Sequence, residues 1–184
     1  EDIVALVALI RPGPLGAGMH NEFADRANNR KEIEYLHNDL ESILNETYGV
    51  ILYQEQVMQI AEKIAGFNLQ EADNLRVAMG KKIPKVMEEQ RKKFTDGAVS
   101  NNYSEQFAIE LFDQIAYFAG YGFNKSHSVP YALLAYQTAF LKTHYPSHFI
   151  ASVLSSEQDK TDKLEPHVKD CAIMDVKILA PNIN

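Results

Sequence analysis

Apolar residues spaced at one helical turn, interrupted at short intervals by residues that stop helices, constrain this chain more than any other feature. Val57, Ile60, Ala61 and Ile64 recur at i, i+3, i+4 and i+7, and Gly66 follows as a C-terminal stop. Asn68 stands three residues before Glu71, the spacing of a capping box, and opens a second helix with the seam Ala72, Leu75 and Met79. Gly80 is expected to end that helix. Pro84 suits the first turn of a third, with Phe94 and Ala98 on its seam and Asn101-Asn102 as its break. Ser104 is placed to cap a fourth, with Phe107, Leu111, Ile115 and Phe118 on one face. From Pro130 to Tyr145 the residues are apolar nearly all round, which predicts a central, buried helix. Pro146 ends it and starts the next, and a last helix carries Val168, Cys171 and Ala172 with Pro166 near its first turn. Val176–Leu179 alternates weakly and is the one candidate strand. The fold class is therefore mainly α, a multi-helix domain with irregular loops and at most a short β element.

Two stretches escape the helical period. Residues 11–18, Arg-Pro-Gly-Pro-Leu-Gly-Ala-Gly, form a shaped loop after a short apolar helix. Residues 119–128 hold Tyr121, Phe123, Lys125, Ser126, His127 and Ser128, and are expected to form a loop joining two buried helices. The acidic opening Glu1-Asp2 is the opposite of a secretory leader's basic start, and the one cysteine, Cys171, fits a buried structural thiol in a reducing cytoplasm. The apolar stretches fall short of a membrane span.

A net charge of −7 argues against a general coat for nucleic acid, but the charge is unevenly spread. Residues 76–93 hold 7 basic and 2 acidic side chains, whereas residues 1–75 hold 5 and 13. A basic stripe on an acidic body suits a local polyanion site. The alternative is a solvated helix face in which Glu88 pairs with Lys92 and Glu89 with Lys93.

Catalytic machinery is hard to find. There is no Asp-x-Asp pair to hold divalent metals, and no phosphate-cradling Gly-x-x-x-x-Gly-Lys loop. Pro146 separates His144 from His148 and breaks the helix that would align them on a metal. Binding is better supported. Arg76, Lys81 and Lys82 fall near the start of the helix at Pro84, where backbone N–H groups and the helix dipole favour anions. Tyr121 and Phe123 can stack on a base, and Lys125 and His127 can reach phosphate; the alternative is that both rings plug the core.

Four segments together resemble one family. They are Leu-Ile-Arg-Pro-Gly-Pro-Leu at 9–15, Tyr-Gly-Val-Ile-Leu-Tyr-Gln-Glu-Gln-Val-Met at 48–58, Ala-Met-Gly-Lys-Lys at 78–82, and Phe-Ala-Gly-Tyr-Gly-Phe-Asn-Lys-Ser-His-Ser at 118–128. In this order they are similar to the fingers of bacterial C-family replicative DNA polymerases, and the likeness runs over essentially the whole chain. It implies a junction helix and Pro/Gly loop over 1–20, a helical fingers domain over 21–174, and an exit segment over 175–184. It also implies that the fingers bind the triphosphate of an incoming deoxynucleotide and the primer–template DNA. Arg76, Lys81, Lys82, Tyr121, Lys125 and His127 would line the nucleotide and phosphate site. Arg11, Lys85 and Arg91 would lie on the DNA backbone or at the junction with the preceding palm. The apolar run Ile3–Ile10 would pack on the rest of the polymerase subunit. No cofactor is expected on these residues; Mg²⁺ would sit on palm aspartates, and this part alone would be inactive. Other replisome subunits are implied partners, and a membrane is not. One position departs from the pattern: many family members carry a second arginine where Val77 stands here. Two other readings stay open, a non-enzymatic helical nucleic-acid-binding domain and a helical protein-interaction module.

Overall fold

A computed structural model describes residues 1–81 and 83–180 of the chain. Eleven α-helices run in order among the described residues: α1 (Asp2–Leu9), α2 (Pro12–Gly16), α3 (Met19–Ala27), α4 (Glu41–Leu44), α5 (Gln54–Ala65), α6 (Leu69–Lys81), α7 (Pro84–Ser100), α8 (Glu105–Ala119), α9 (Lys125–His144), α10 (Pro146–Ser156) and α11 (Thr161–Ile173). The mainly α expectation holds. By contacts the chain divides into one unit from Glu1 to Ala132 and another from Leu133 onward.

Local chemistry sets most helix ends. Gly66 takes a left-handed φ of +67° beyond α5, which a side chain would resist. The Asn68 N–H donates to the Glu71 carboxylate (2.9 Å) and the Glu71 N–H donates back to Asn68 Oδ1 (3.0 Å), so the reciprocal box starts α6. Ser104 Oγ accepts from the Phe107 N–H at 3.2 Å and starts α8. Gly80 does not end α6; the helix continues to Lys81. The break belongs to the proline, because the residue before a proline is driven from helical backbone, and Ile83 is extended with ψ 115°.

The first unit holds two apolar clusters. One gathers Leu40, Ile60, Ile64, Leu75, Phe94, Leu111, Phe112 and Ile115 between α4 and α8. The other joins Ala8, Leu9, Met19 and Phe23 to Val50, Leu52 and Tyr53. Phe118 packs against both. Helices α5 and α7 pass so closely that a Cβ on Gly97 would overlap the Ala65 carbonyl, which explains a glycine in mid-helix. A buried polar knot sits beside the cores. Gln56 Oε1 accepts from the Leu52 and Tyr53 N–H groups (2.9 Å each), and its Nε2 donates to Thr47 Oγ1 (2.8 Å). The knot satisfies backbone donors that no helix or strand would otherwise pair.

Four expectations change from residue 120 onward. Helix α9 begins at Lys125, so residues 125–128 form its first turn and Pro130 lies inside it at the cost of one backbone bond. Nor is α9 buried: Tyr131, Leu133, Leu134, Tyr136, Phe140 and Leu141 are 45–59% exposed, with Ser128 and Ala132 its buried residues. All-round apolarity specifies a covered helix, yet among the described residues these side chains remain about half exposed. In α11, Pro166 lies past the first turn, while Cys171 is buried as expected. Residues 176–179 form no strand; the isolated parallel bridge between Tyr53 and Phe123 is the β pairing found among the described residues. No described helix is long and apolar enough to cross a membrane.

Candidate functional site

The Tyr53–Phe123 bridge is the point on which the candidate site is built. The Gln54 N–H donates to the Phe123 carbonyl (3.0 Å) and the Phe123 N–H donates to the Leu52 carbonyl (3.1 Å). This pairing fastens the start of α5 to the turn before α9, and the Gln56 knot holds residues 52 and 53 from beneath.

Three cations from distant parts of the sequence meet this crossing. Arg11 stands before α2 in extended backbone, with Nη2 donating to the Tyr121 carbonyl (2.5 Å) and its guanidinium 4.6 Å from the Phe123 ring centre. Partial burial holds its pKa below the ordinary arginine value. Arg76, on α6, pairs with Asp73 (2.8 Å) and reaches Gln54 Oε1 at 3.5 Å. Lys125 opens α9; its ammonium pairs with Glu46 and lies 5.4 Å from the Tyr53 ring centre. The Lys125 backbone N–H donates to the Glu55 carboxylate at 3.0 Å, so an acidic side chain already fills part of that helix start. The Arg76 guanidinium thus reaches Gln54, and the Lys125 backbone N–H reaches the next residue, Glu55. Burial, then Glu46 and Glu55, push the Tyr53 phenol well above its ordinary pKa, so Tyr53 is a neutral platform.

The aromatic residues complete the corner. His127 is exposed, with its ring centre 5.8 Å from Phe123 and 5.0 Å from Tyr131, and its N–H is capped by Asn124 Oδ1 at 2.9 Å. The Tyr121 ring rests on Gly13, where a Cβ would come within 2.5 Å of it. Phe123 packs on the second apolar cluster and bears Arg11, so its ring is largely engaged within the fold.

The remaining residues of the basic stripe separate. Lys81 is exposed in the last turn of α6, about 7.5 Å along the axis from Arg76 at 1.5 Å per residue. Lys82 lies outside the described residues. Lys85 is exposed in the first turn of α7. Arg91 turns instead to α8, pairing with Asp113 above the Phe112 ring. Lys93 pairs with Glu71 of α6 (2.7 Å), not with Glu89 as a surface-helix reading expects. The far end of the stripe therefore ties helices together.

The structure brings together Arg11, Arg76, Tyr121, Lys125 and His127, and adds four residues that the sequence reading passed over. These are Gln54, Glu46, Glu55 and Asp73. Asp73 could be read from its i, i+3 spacing to Arg76. Glu46 and Glu55 lie 79 and 70 residues from Lys125, and no local pattern announces them. The Asn124 cap was a missed local signal for the start of α9. Among the described residues, no group of three or more His, Cys, Asp or Glu side chains could hold a metal ion.

Comparison with known proteins now decides the family. Residues 1–102 match the bacterial DNA polymerase III alpha subunit finger domain. The chain belongs to the bacterial DNA polymerase III alpha-subunit family. It is 52% identical over 189 aligned residues to DNA polymerase III subunit alpha of Haemophilus influenzae, covering 100% of this chain and 16% of that protein. The corresponding protein of Escherichia coli is 51% identical with the same coverage. That of Campylobacter jejuni is 50% identical over 184 residues, 100% of this chain and 15% of that protein. The chain thus spans about one sixth of the length of these DNA polymerase III relatives.

Proposed function

We propose that this chain serves as fingers of a DNA-directed DNA polymerase, where the crossing at Tyr53–Phe123 presents Arg76, Lys125 and His127 to the triphosphate of an incoming deoxynucleotide. The observation that carries this reading is that two cations 49 positions apart in sequence reach adjacent residues: the Arg76 guanidinium contacts Gln54 Oε1 at 3.5 Å, and the Lys125 ammonium lies 5.4 Å from the Tyr53 ring centre. Lys81 from α6 and Lys85 from α7 would extend the positive edge toward primer–template phosphates. Tyr121 and His127 offer planar faces beside a base.

The chemistry asked of these residues is charge neutralisation and positioning. Phosphoryl transfer spreads negative charge over the phosphate oxygens, and fixed cations in a partly desolvated corner offset it without reorganising. Lys125 is held by Glu46 and Arg76 by Asp73. A triphosphate would exchange with these carboxylates, and its greater charge density favours the exchange. Divalent metal, Mg²⁺ by family expectation, would be held by residues outside this chain and would neutralise the reacting phosphates. The rest of the alpha subunit would cover the exposed apolar residues of α1 and α9. The same reading places the protein in the cytoplasm with the other replisome subunits.

In the full-length polymerase subunit, Lys125→Ala is expected to lower kcat/KM for the incoming nucleotide by about 10–100-fold. Unchanged nucleotide kinetics would defeat the proposal. If the variant instead weakened duplex binding and reduced the salt slope by about one, Lys125 would serve the DNA backbone and not the nucleotide.

A further inference from the structure

Arg11 lies far in sequence from the other residues of the site, yet its side chain is turned toward them. Its Nε–H donates to the Ala8 carbonyl (2.8 Å), at the end of α1, and its Nη2–H donates to the Tyr121 carbonyl (2.5 Å). The face of the same group covers Phe123 with 4.6 Å to the ring centre. One planar cation therefore grips both ends of the 121–123 turn and ties them to α1. The turn leads directly into Asn124, which caps α9, and Lys125, whose N–H meets Glu55. Ser128 Oγ, one turn on, donates to the Val4 carbonyl (2.5 Å), so the start of α9 is fastened to α1 at a second point.

We propose that Arg11 is a positioning residue, clamping the 121–123 turn so that the first turn of α9 presents Lys125 and His127 in a fixed place. This rests on the nucleotide-binding reading of Lys125 given above. The clamp needs the shape of arginine. Two carbonyls and a ring are engaged at once by a flat fork with separated donors, whereas an ammonium concentrates its donors at one point and has no planar face. A role in direct phosphate neutralisation would need only the charge. Arg11→Lys separates the two.

The experiment compares Arg11→Lys, Arg11→Met and Lys125→Ala in the full-length polymerase subunit, using hydrogen exchange and nucleotide kinetics. Both Arg11 variants are expected to speed exchange of the Phe123, Lys125 and His127 amides by about tenfold or more, leaving the amides of α5 and α8 unchanged. Both are also expected to raise KM for the incoming nucleotide by about tenfold, more than they lower kcat. Near-normal KM in Arg11→Lys with a raised KM in Arg11→Met would show that charge alone matters and overturn the proposal. Unaltered exchange at residues 123–127 would overturn it as well, as would local loosening with an unchanged KM while Lys125→Ala raises it. If Lys125→Ala leaves KM unchanged, the nucleotide reading fails by itself, and exchange still reports whether the clamp exists. Should both Arg11 variants misfold, Phe123→Leu removes the ring under the guanidinium while preserving the charge. It is then expected to loosen the same amides, and failure to do so counts against the clamp.

Discussion

The unit from Glu1 to Ala132 and the unit from Leu133 onward are written in the same helical code and come to opposite ends. In the first, Phe94, Leu111, Phe112 and Ile115 are at most 1% exposed, stacked between α5, α7 and α8. In the second, Leu133, Leu134, Tyr136, Phe140 and Leu141 are 45–59% exposed on the latter part of α9, and Ile150 and Cys171 are its buried apolar residues. The difference is not one of propensity, since both helices form. An apolar seam states that a helix should be covered but does not name the cover. In the first unit the cover is close in sequence: α5 through α8 follow one another, each bringing a matching seam.

The sharpest way to break this comparison is to cut the same side chain from each unit. Phe94→Ala should cost about 3–5 kcal/mol, because it removes a ring between Phe67 and Phe112 and leaves a cavity. Phe140→Ala, at 45% exposure, should cost less than about 1 kcal/mol in the same chain. Urea unfolding followed by circular dichroism measures both, and equal losses would erase the distinction between the units. A smaller effect is expected from the polar knot that supports the site. Gln56→Ala strands the Leu52 and Tyr53 N–H groups and should cost about 2–4 kcal/mol. Exchange at those two amides should rise with it, and protection equal to wild type would show that the knot is dispensable.

The smallest expected effect is electrostatic and sharpens the account of the first unit. The bond from Lys93, then that from the Asn68 N–H, holds the Glu71 carboxyl below its ordinary 4.5. The folded chain therefore binds this proton more weakly than the unfolded chain. The contribution is complete above the ordinary value and fades as pH falls through the lower folded one. Glu71→Gln keeps an acceptor for Asn68 but loses the charge, so stability should fall less steeply between about pH 5 and pH 3. Chemical denaturation across that range tests the sign; a steeper acid loss in the variant would reverse it.

Elements governed by near neighbours were legible in the sequence. The Asn68–Glu71 box, the Ser104 cap, Pro84 at a helix start and Gly66 beyond a helix end each involve residues within one turn. Gly80 was misleading because the pre-proline constraint at Ile83 sets the break. At the site, Arg76 and Lys125 could be picked out by charge and motif, and their approach to the adjacent residues Gln54 and Tyr53 could not. Nor could Glu46, whose pairing with Lys125 depends on how the chain returns. Arg91 shows the converse: a cation in a basic stripe whose partner, Asp113, lies 22 residues on and makes it a tie between helices.

Tyr53 and Phe123 are joined by so little backbone pairing that the order of assembly matters. Closing a loop of 70 residues costs on the order of 4 kcal/mol in chain entropy, more than two hydrogen bonds return. The join must therefore follow the packing of α5 through α8, which brings its two ends near each other beforehand. Damage to that scaffold would be felt first as a loosening of the Tyr53–Phe123 crossing, at a degree of destabilisation that leaves most of the molecule folded.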